Sequence, residues 1–145
     1  MRLKDKTAMV VGAGQPPGPT MANGRATALL FARQGAQVLA VDNDLDSAQE
    51  TVEIIRSEGG TAEASEADVV DEDSLKSAVS FCTGQFGRLD ILVCCAGVLG
   101  WEKPFLEQTA EQFCKVMAIN VNGAYYAHQA VVPYMLERNW GRCVT

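Results

Sequence analysis

The sequence predicts an α/β fold in which one parallel sheet is covered by helices on both faces. The first observation is that short apolar runs alternate along the whole chain with longer segments of helical periodicity. The second is that the runs are almost continuously apolar, which is typical of strands buried on both faces of a parallel sheet. The third is that glycines follow several runs and helices. Right-handed crossovers between such strands give a doubly wound sheet.

A glycine-rich turn joins the first predicted strand to the first predicted helix. The apolar run at 8–11 ends at the glycine turn 12–14, and helical periodicity begins near Asn23 and Gly24. This order is typical of pyrophosphate binding, because free N–H groups at the start of the helix point at the anion. The spacing departs from G-x-G-x-x-G, since 16–21 lies between the glycines. Taken alone, the motif leaves open a structural turn without a ligand.

The later segments alternate in the same way. In chain order we predict a helix at 23–34, a strand at 37–41, a helix from the cap Asp44 to 58, a strand at 61–67, a helix at 71–85, a strand at 89–95, a helix at 109–137 and a strand at 141–145. The strand at 61–67 is more polar than the others, so we expect it at an edge of the sheet. Gly35 is a helix C-terminal signal. Thr109 and Gln112 form a capping box.

Two apolar faces are predicted on the later helices. The helix at 71–85 has Leu75, Ala78, Val79, Phe81 and Cys82 on one face. The long helix carries a stripe formed by Phe113, Met117, Val121, Ala124, Ala127, Val131 and Met135. We expect both faces to pack on the sheet, because helical spacing places each set on one side.

Length and charge restrict the classes of function. With 145 residues, one domain spanning 1–145 is expected. The net charge of −6 disfavours nucleic acid and anionic lipid as partners. No apolar run approaches the ~20 residues of a membrane span. The first residues lack the apolar segment of a secretory signal, so we expect a cytoplasmic location.

The cysteines indicate a reducing compartment and not a metal site. The chain has five cysteines and one histidine, His128, and it contains no C-x-x-C pair. Because zinc sites need clustered Cys and His ligands, we predict none. Cys94 and Cys95 are adjacent, so in a strand they would face opposite sides of the sheet.

Carboxylates follow two of the predicted strands. Asp42, with Asn43 after it, closes the second strand and is placed to accept hydrogen bonds from both hydroxyls of an adenosine ribose. The same charge would repel a ribose 2′-phosphate, so we predict NAD as the cofactor. A helix N-cap or loop carboxylate is the alternative for Asp42. Asp68 and Val69 follow the third strand and would meet the adenine, or form a surface turn.

These residues together resemble the N-terminal part of a short-chain dehydrogenase/reductase. The matching segments are 10–14, 24–26, Asp42, 68–69, 92–97 and 120–123. The resemblance covers essentially the whole chain. It implies a Rossmann-type fold, NAD(P) binding, hydride transfer at an alcohol or carbonyl carbon of a small molecule, and a homo-oligomer, which we expect to form through the helix at 109–137.

The resemblance also implies a set of site residues. Asn120 matches the family's catalytic Asn, which holds a water molecule in a proton relay. An Asn inside a helix that bonds only to backbone is the alternative for this residue. The expected cofactor-binding residues are Gly12, Gly14, Gln15, Asn23, Gly24, Asp42, Asn43, Asp68, Val69, Cys95, Ala96 and Gly97.

Several residues depart from the family pattern. Val11 stands where the family has Thr, Ala22 where it has its middle glycine, and Cys94-Cys95 where it has two Asn. Three prolines remove N–H donors from 16–21, so we expect this loop to project outward. Asn23 and Gly24 would then supply the phosphate contacts, and we expect weakened cofactor binding.

The remaining catalytic residues of the family do not match this chain. The Ser, which polarises the substrate oxygen, and Tyr-x-x-x-Lys, the acid/base group, would follow the strand at 141–145. We therefore expect the sheet to be truncated after its fifth strand, the 145 residues to be inactive alone, and the chain to be a fragment. Tyr134 and Arg138 have the right spacing, but they lie inside a predicted helix and Arg does not deprotonate.

Two other functions stay open from the sequence. One is a nucleotide-binding or dimerisation module without catalysis. The other is a methyltransferase-like nucleotide fold, which Asp42 also suits but the segment at 120–123 does not. Leu99, Trp101 and Phe105 are candidates for one wall of the substrate pocket, and an apolar loop packed on the core is the alternative.

Overall fold

The computed structural model describes residues 1–100 and 104–145. The elements in chain order are β1 (Thr7–Val11), α1 (Asn23–Arg33), β2 (Gln37–Asp42), α2 (Leu45–Ser57), β3 (Thr61–Glu66), α3 (Glu72–Phe86), β4 (Ile91–Cys94), a 3-10 turn (Phe105–Glu107), α4 (Ala110–Met117), a π-helical turn (Ala118–Asn122), α5 (Gly123–Glu137) and β5 (Arg142–Val144). The predicted α/β class is confirmed. Within this described part, no helix is both long and apolar enough to cross a bilayer.

The five strands form one sheet in the order β3-β2-β1-β4-β5, and every neighbouring pair is parallel. The chain runs outward from β1 to β3 and then crosses back to place β4 on the other side of β1. This reversal of strand order confirms the doubly wound, Rossmann-type sheet. It also places the switch point between β1 and β4, where such sheets bind ligands. The polar strand β3 lies at an edge, as predicted.

Each face of the sheet has its own apolar core. One core contains Met9, Leu39 and Leu92 from the strands and packs against α3 and α5. The other contains Val10 and Val38 and packs against α1 and α2. Successive strand residues alternate between the two cores because side chains in a strand point to opposite faces. Cys94 and Cys95 separate in this way, as predicted.

Three helices begin at side-chain caps. Asp44 accepts a hydrogen bond from the Ser47 N–H at the start of α2, and Asp71 caps α3. Thr109 and Gln112 make the predicted capping box at the start of α4. Each cap satisfies N–H groups that the first helical turn leaves without partners.

The long helix predicted at 109–137 is present, but a π-helical turn divides its α-helical bonding. The π-helical turn separates α4 from α5, and its wider i→i+5 bonding rotates the apolar stripe. Ala127, Val131 and Met135 are buried, whereas Phe113, Met117 and Val121 are exposed. α4 contains no buried residue.

Two other predictions need smaller corrections. Phe81 is exposed, so the buried face of α3 consists of Leu75, Ala78, Val79 and Cys82. β4 begins at Ile91 and not at 89, and Arg88 and Asp90 form an ion pair in the segment before it.

Candidate functional site

A cleft of about 560 Å³ opens at the carboxyl ends of β1, β2 and β4. Its volume lies in the range of small-molecule and cofactor sites. The lining includes ten of the residues that the sequence singles out: Gly12, Gly14, Asn23, Gly24, Asp42, Asn43, Val69, Cys95, Ala96 and Gly97. The fold therefore brings together residues that the sequence analysis had selected from widely separated parts of the chain.

The turn after β1 is held by contacts between backbones. Gly12 has φ +80°, and a Cβ there would lie 2.6 Å from the Ala96 backbone nitrogen. A Cβ on Gly24 would overlap the Gly12 carbonyl oxygen. Both positions require glycine, because a side chain at Gly12 would push the turn away from the segment after β4, and one at Gly24 would separate α1 from the turn.

The start of α1 has no side-chain cap. Its N-cap residue is Ala22, and its first turn contains no acidic side chain. α2, α3 and α4, in contrast, are capped by Asp44, Asp71 and Thr109. The residues that begin α1, Ala22, Asn23 and Gly24, line the cleft. This arrangement fits the pyrophosphate of a dinucleotide, which would accept hydrogen bonds where a capping side chain is missing.

Asp42 lies at the end of β2 and is half-buried beside the glycine turn. The Gly14 N–H donates to its Oδ2 at 2.7 Å, and the Asp44 N–H donates to its Oδ1 at 3.2 Å. Each carboxylate oxygen keeps a further lone pair. The carboxylate is thus fixed in orientation and still able to accept hydrogen bonds from a ligand.

An outer layer on α2 supports the glycine turn. The Gln15 N–H donates to Ser47 Oγ at 2.6 Å, and Thr51 Oγ1 donates to the Ala13 carbonyl at 2.8 Å. Arg25, which is 8% exposed, donates from Nε to Thr51 Oγ1 and pairs with Glu50. Sequence reasoning missed Ser47 and Thr51. The available signal was two hydroxyl side chains four residues apart on the helix after Asp42.

Gln15 uses its side chain within the loop that follows it. Its Nε2 donates to the carbonyls of Pro16 and Thr20 at 3.0 and 2.8 Å, and its Oε1 accepts from the Ala22 N–H at 2.9 Å. Residues 16–21 are exposed, as expected for a loop that projects outward.

Asp68 and Val69 have different positions. Val69 is buried and lines the cleft. Asp68 is exposed, and its Oδ1 accepts from the Val70 N–H in the turn before α3. The Ser74 hydroxyl donates to the Asp68 carbonyl. The turn that the sequence left as an alternative for Asp68 is therefore present.

Asn120 lies on the π-helical turn and binds the segment after β4. Its Nδ2 donates to the Val98 carbonyl, and its Oδ1 accepts from the Val98 N–H, both at 2.8 Å. A Cβ on Gly97 would lie 3.4 Å from Asn120 Oδ1. Both ends of the amide thus position the chain that forms one wall of the cleft.

The remaining candidates are less central. Burial raises the pKa of Cys95, although a hydrogen bond with Thr27 opposes the shift, so its thiol stays protonated. Tyr134 packs against the core and His128 bonds to the Ala124 carbonyl within α5. Leu99 lines the cleft mouth, Phe105 is exposed, and Trp101 lies outside the described residues.

Comparison with known proteins gives the same architecture. The sequence matches the family described as short chain dehydrogenase over residues 6–145. It is 33% identical over 143 residues to a cyclohexanol dehydrogenase of Acinetobacter sp., covering 99% of this chain and 55% of that protein. It is 36% identical over 148 residues to an L-rhamnose 1-dehydrogenase (NAD(P)(+)) of Azotobacter vinelandii, with the same two coverages.

A third relative is an uncharacterized NAD-dependent oxidoreductase of Mycobacterium tuberculosis, 34% identical over 152 residues, with 96% of this chain and 53% of that protein covered. The chain thus spans about half the length of the curated relatives that it matches.

Solved structures agree with this assignment. A hydroxysteroid dehydrogenase from Escherichia coli superposes with a TM-score of 0.88 at 32% identity, covering 98% of this chain and 57% of that one. A short-chain type dehydrogenase/reductase from Mycobacterium marinum gives 0.89 at 29% identity, with coverages of 97% and 55%. With the switch-point cleft and the family match over 6–145, these likenesses show that the chain belongs to the short-chain dehydrogenase family.

Proposed function

We propose that these residues form the NAD-binding half of an oxidoreductase that transfers a hydride between NAD and an alcohol or carbonyl substrate. One observation carries the proposal. The uncapped start of α1, the glycine turn and the Asp42 carboxylate all face a single cleft at the switch point of the sheet. When bound, NAD supplies the hydride acceptor, and the chain supplies the groups that orient it.

Each part of the cleft suits one part of NAD. The N–H groups of Asn23 and Gly24 suit the pyrophosphate, because they begin a helix and lack a side-chain cap. Asp42 and Asn43 suit the adenosine ribose, and Val69, with Asp68 beside it, suits the adenine. The segment from Cys95 to Gly97 forms the wall opposite α1, where Gly12 and Gly14 allow close approach.

Charge favours NAD over NADP. Asp42 would repel a 2′-phosphate on the ribose, and no Lys or Arg lines the cleft in the part of the chain that the structure describes. Among the relatives, one is named NAD-dependent and another NAD(P)(+), so the family includes both preferences.

Catalysis needs groups that these 145 residues do not place in the cleft. Asn120 binds backbone through its side chain, and we assign it the positioning of the Val98 segment together with the catalytic role that the resemblance implies. The family's Ser and Tyr-x-x-x-Lys have no counterparts among these residues. We therefore expect binding of NADH without turnover of alcohols.

Titration with NADH and NADPH tests the proposal. The intact chain should bind NADH more tightly, and Asp42→Asn should narrow the ratio of the two Kd values by about tenfold, or about 1.4 kcal/mol. Asp42→Asn removes the charge and keeps an acceptor for the Gly14 N–H. Glu53→Ala removes an exposed charge from α2 and serves as the control. Absence of NADH binding at millimolar concentration, or an unchanged ratio, would contradict the assignment.

Homo-oligomerisation through the region of α4 and α5 is part of the proposal. Phe113, Met117, Val121 and Tyr125 are 38–62% exposed and recur every four residues. Such contiguous apolar surface favours association. Val121→Lys, in the π-helical turn, should shift the sedimentation coefficient toward that of the monomer, whereas Lys115→Ala, at an exposed site on α4, should not. A protein that is monomeric before substitution would contradict this part.

A module that binds nucleotide or dimerises without catalysis is the second candidate, which the same exposed stripe supports. Alcohol oxidation by a longer form of the protein would separate the two.

The five free cysteines support the cytoplasmic location that we propose.

A further inference from the structure

The loop between the glycine turn and α1 is closed by one side chain. Pro16, Pro17 and Pro19 have no N–H to donate, so the backbone of this loop has little capacity to bond to itself. The Gln15 side chain supplies three hydrogen bonds to the loop backbone instead. It donates to the carbonyls of Pro16 and Thr20 and accepts from the Ala22 N–H. Its amide thus joins both ends of the loop.

Gln15 is itself fixed on its other side. Its backbone N–H donates to Ser47 Oγ at 2.6 Å, and the Ser47 hydroxyl lies 3.4 Å from the Gln15 carbonyl. Ser47 belongs to α2, whose cap Asp44 also bonds to Asp42. A continuous chain of hydrogen bonds therefore runs from the ribose side of the cleft, through Gln15, to Ala22.

The position of Ala22 matters because it is the N-cap of α1. Ala22 has no side chain that can bond to the first turn, and the next residues, Asn23 and Gly24, line the cleft. Fixing the Ala22 backbone fixes the direction in which their N–H groups point. A loop free to move would leave them oriented only part of the time, and affinity falls with the fraction that is competent.

We propose that Gln15 is a positioning residue for the pyrophosphate part of the cofactor site, acting through the backbone of Ala22. This inference rests on the proposed function, since it assumes that the cleft binds a dinucleotide. It assigns to the Gln15 side chain an indirect role, in which the amide orders the loop 16–21 and the helix start contacts the ligand.

Three variants distinguish the effect of losing the Gln15 hydrogen bonds from the effect of changing the size of its side chain. Gln15→Met keeps the length of the side chain and removes all three bonds. Gln15→Glu keeps the acceptor for the Ala22 N–H and places a second acceptor against the carbonyls of Pro16 and Thr20. Gln49→Met makes the same change as the first variant at an exposed site on α2 and is the matched control.

Two ligands and one spectroscopic signal give the readout. Kd values for NADH and for adenosine are measured by NMR titration, because adenosine has no pyrophosphate and reaches only the Asp42 side. The exchange rate of the Ala22 amide proton is measured without ligand. Gln15→Met and Gln15→Glu should weaken NADH binding by about tenfold, change adenosine binding by less than about twofold, and speed exchange at Ala22. Gln49→Met should change none of these.

Other results overturn the inference. Equal losses for NADH and adenosine would show a general structural role, and wild-type affinity for NADH in Gln15→Met would show that the three bonds are dispensable. Failure of the unsubstituted protein to bind NADH is a separate result that overturns the proposed function and the role of Gln15 with it. Circular dichroism of each variant confirms that it is folded.

Discussion

The two ends of the sheet's middle strands are held in different ways. At the carboxyl end, around the cleft, backbones contact each other directly, and Gly12 and Gly24 leave no room for a Cβ. At the amino end, beside β5, side chains make the contacts. Asp90 accepts from the Thr7 N–H and pairs with Arg88, and Lys6 lies 3.8 Å from the centre of the Trp140 ring.

This difference separates ligand binding from the stability of the sheet edge. Backbone contacts place N–H groups toward the cleft without using polar side chains, so a ligand finds donors already oriented. At the other end the Asp90 carboxylate ties β1 to β4, and a backbone hydrogen bond from the Arg142 N–H to the Asp90 carbonyl adds β5. All three residues of β5 are nevertheless exposed. Substitutions at the amino end should therefore change the stability of the fold without changing the affinity for the ligand.

Gly24→Ala should produce the largest effect, because it should reduce both the stability of the fold and the binding of NADH. Alanine is favoured over glycine inside a helix, but the new Cβ would overlap the Gly12 carbonyl oxygen and force α1 away from the turn. We expect the free energy of unfolding to fall by about 3 kcal/mol and NADH binding to be lost. Urea unfolding and NADH titration measure the two changes.

Gly84→Ala is the matched control for that substitution. Gly84 lies in α3, where a Cβ would meet no atom within 4 Å. The substitution should raise the free energy of unfolding by roughly 0.7 kcal/mol and leave NADH binding unchanged. A Gly24→Ala protein as stable as Gly84→Ala would show that α1 can shift without cost, and the comparison of the two ends would fail.

The sequence predicts most of the fold because the signals are local. Strand burial, the alternation of Cys94 and Cys95, and the caps at Asp44 and Thr109 each depend on residues close together in the chain. The residues that line the cleft were also largely predictable, since parallel strands bring their carboxyl ends to one edge.

The features that the sequence did not predict depend on contacts between distant segments. The π-helical turn at Ala118–Asn122 places Asn120 against Val98, and its rotation of the helix exposes Phe113. A regular 3.6-residue period contains no information about such a turn. The supporting bonds of Ser47 to Gln15 join residues 32 positions apart, so no local pattern indicates them.

Asp90→Asn should have a smaller effect, confined to the amino end. Burial alone would raise the pKa of Asp90, but hydrogen bonds from Arg88 and the Thr7 N–H, with the charges of Arg88 and Lys6, outweigh it and lower the pKa. A lowered folded-state pKa means that ionised Asp90 stabilises the fold at neutral pH, and that this contribution is lost as the pH falls below about 4. The substitution should cost about 2 kcal/mol at pH 7.

Thermal unfolding between pH 3 and pH 7 gives the measurement, and NADH titration at pH 7 gives the comparison. The unsubstituted protein should lose stability toward pH 3 more steeply than Asp90→Asn, because the variant has no carboxyl group at this position to protonate. Its Kd for NADH should stay within about twofold, since Asp90 lies at the opposite end of β4 from the cleft. Glu63→Gln, which breaks an exposed ion pair with Arg56, should cost at most about 0.5 kcal/mol. If Asp90→Asn weakened NADH binding as much as it weakened the fold, the two ends would be coupled through β4, and the separation of binding from edge stability would be wrong.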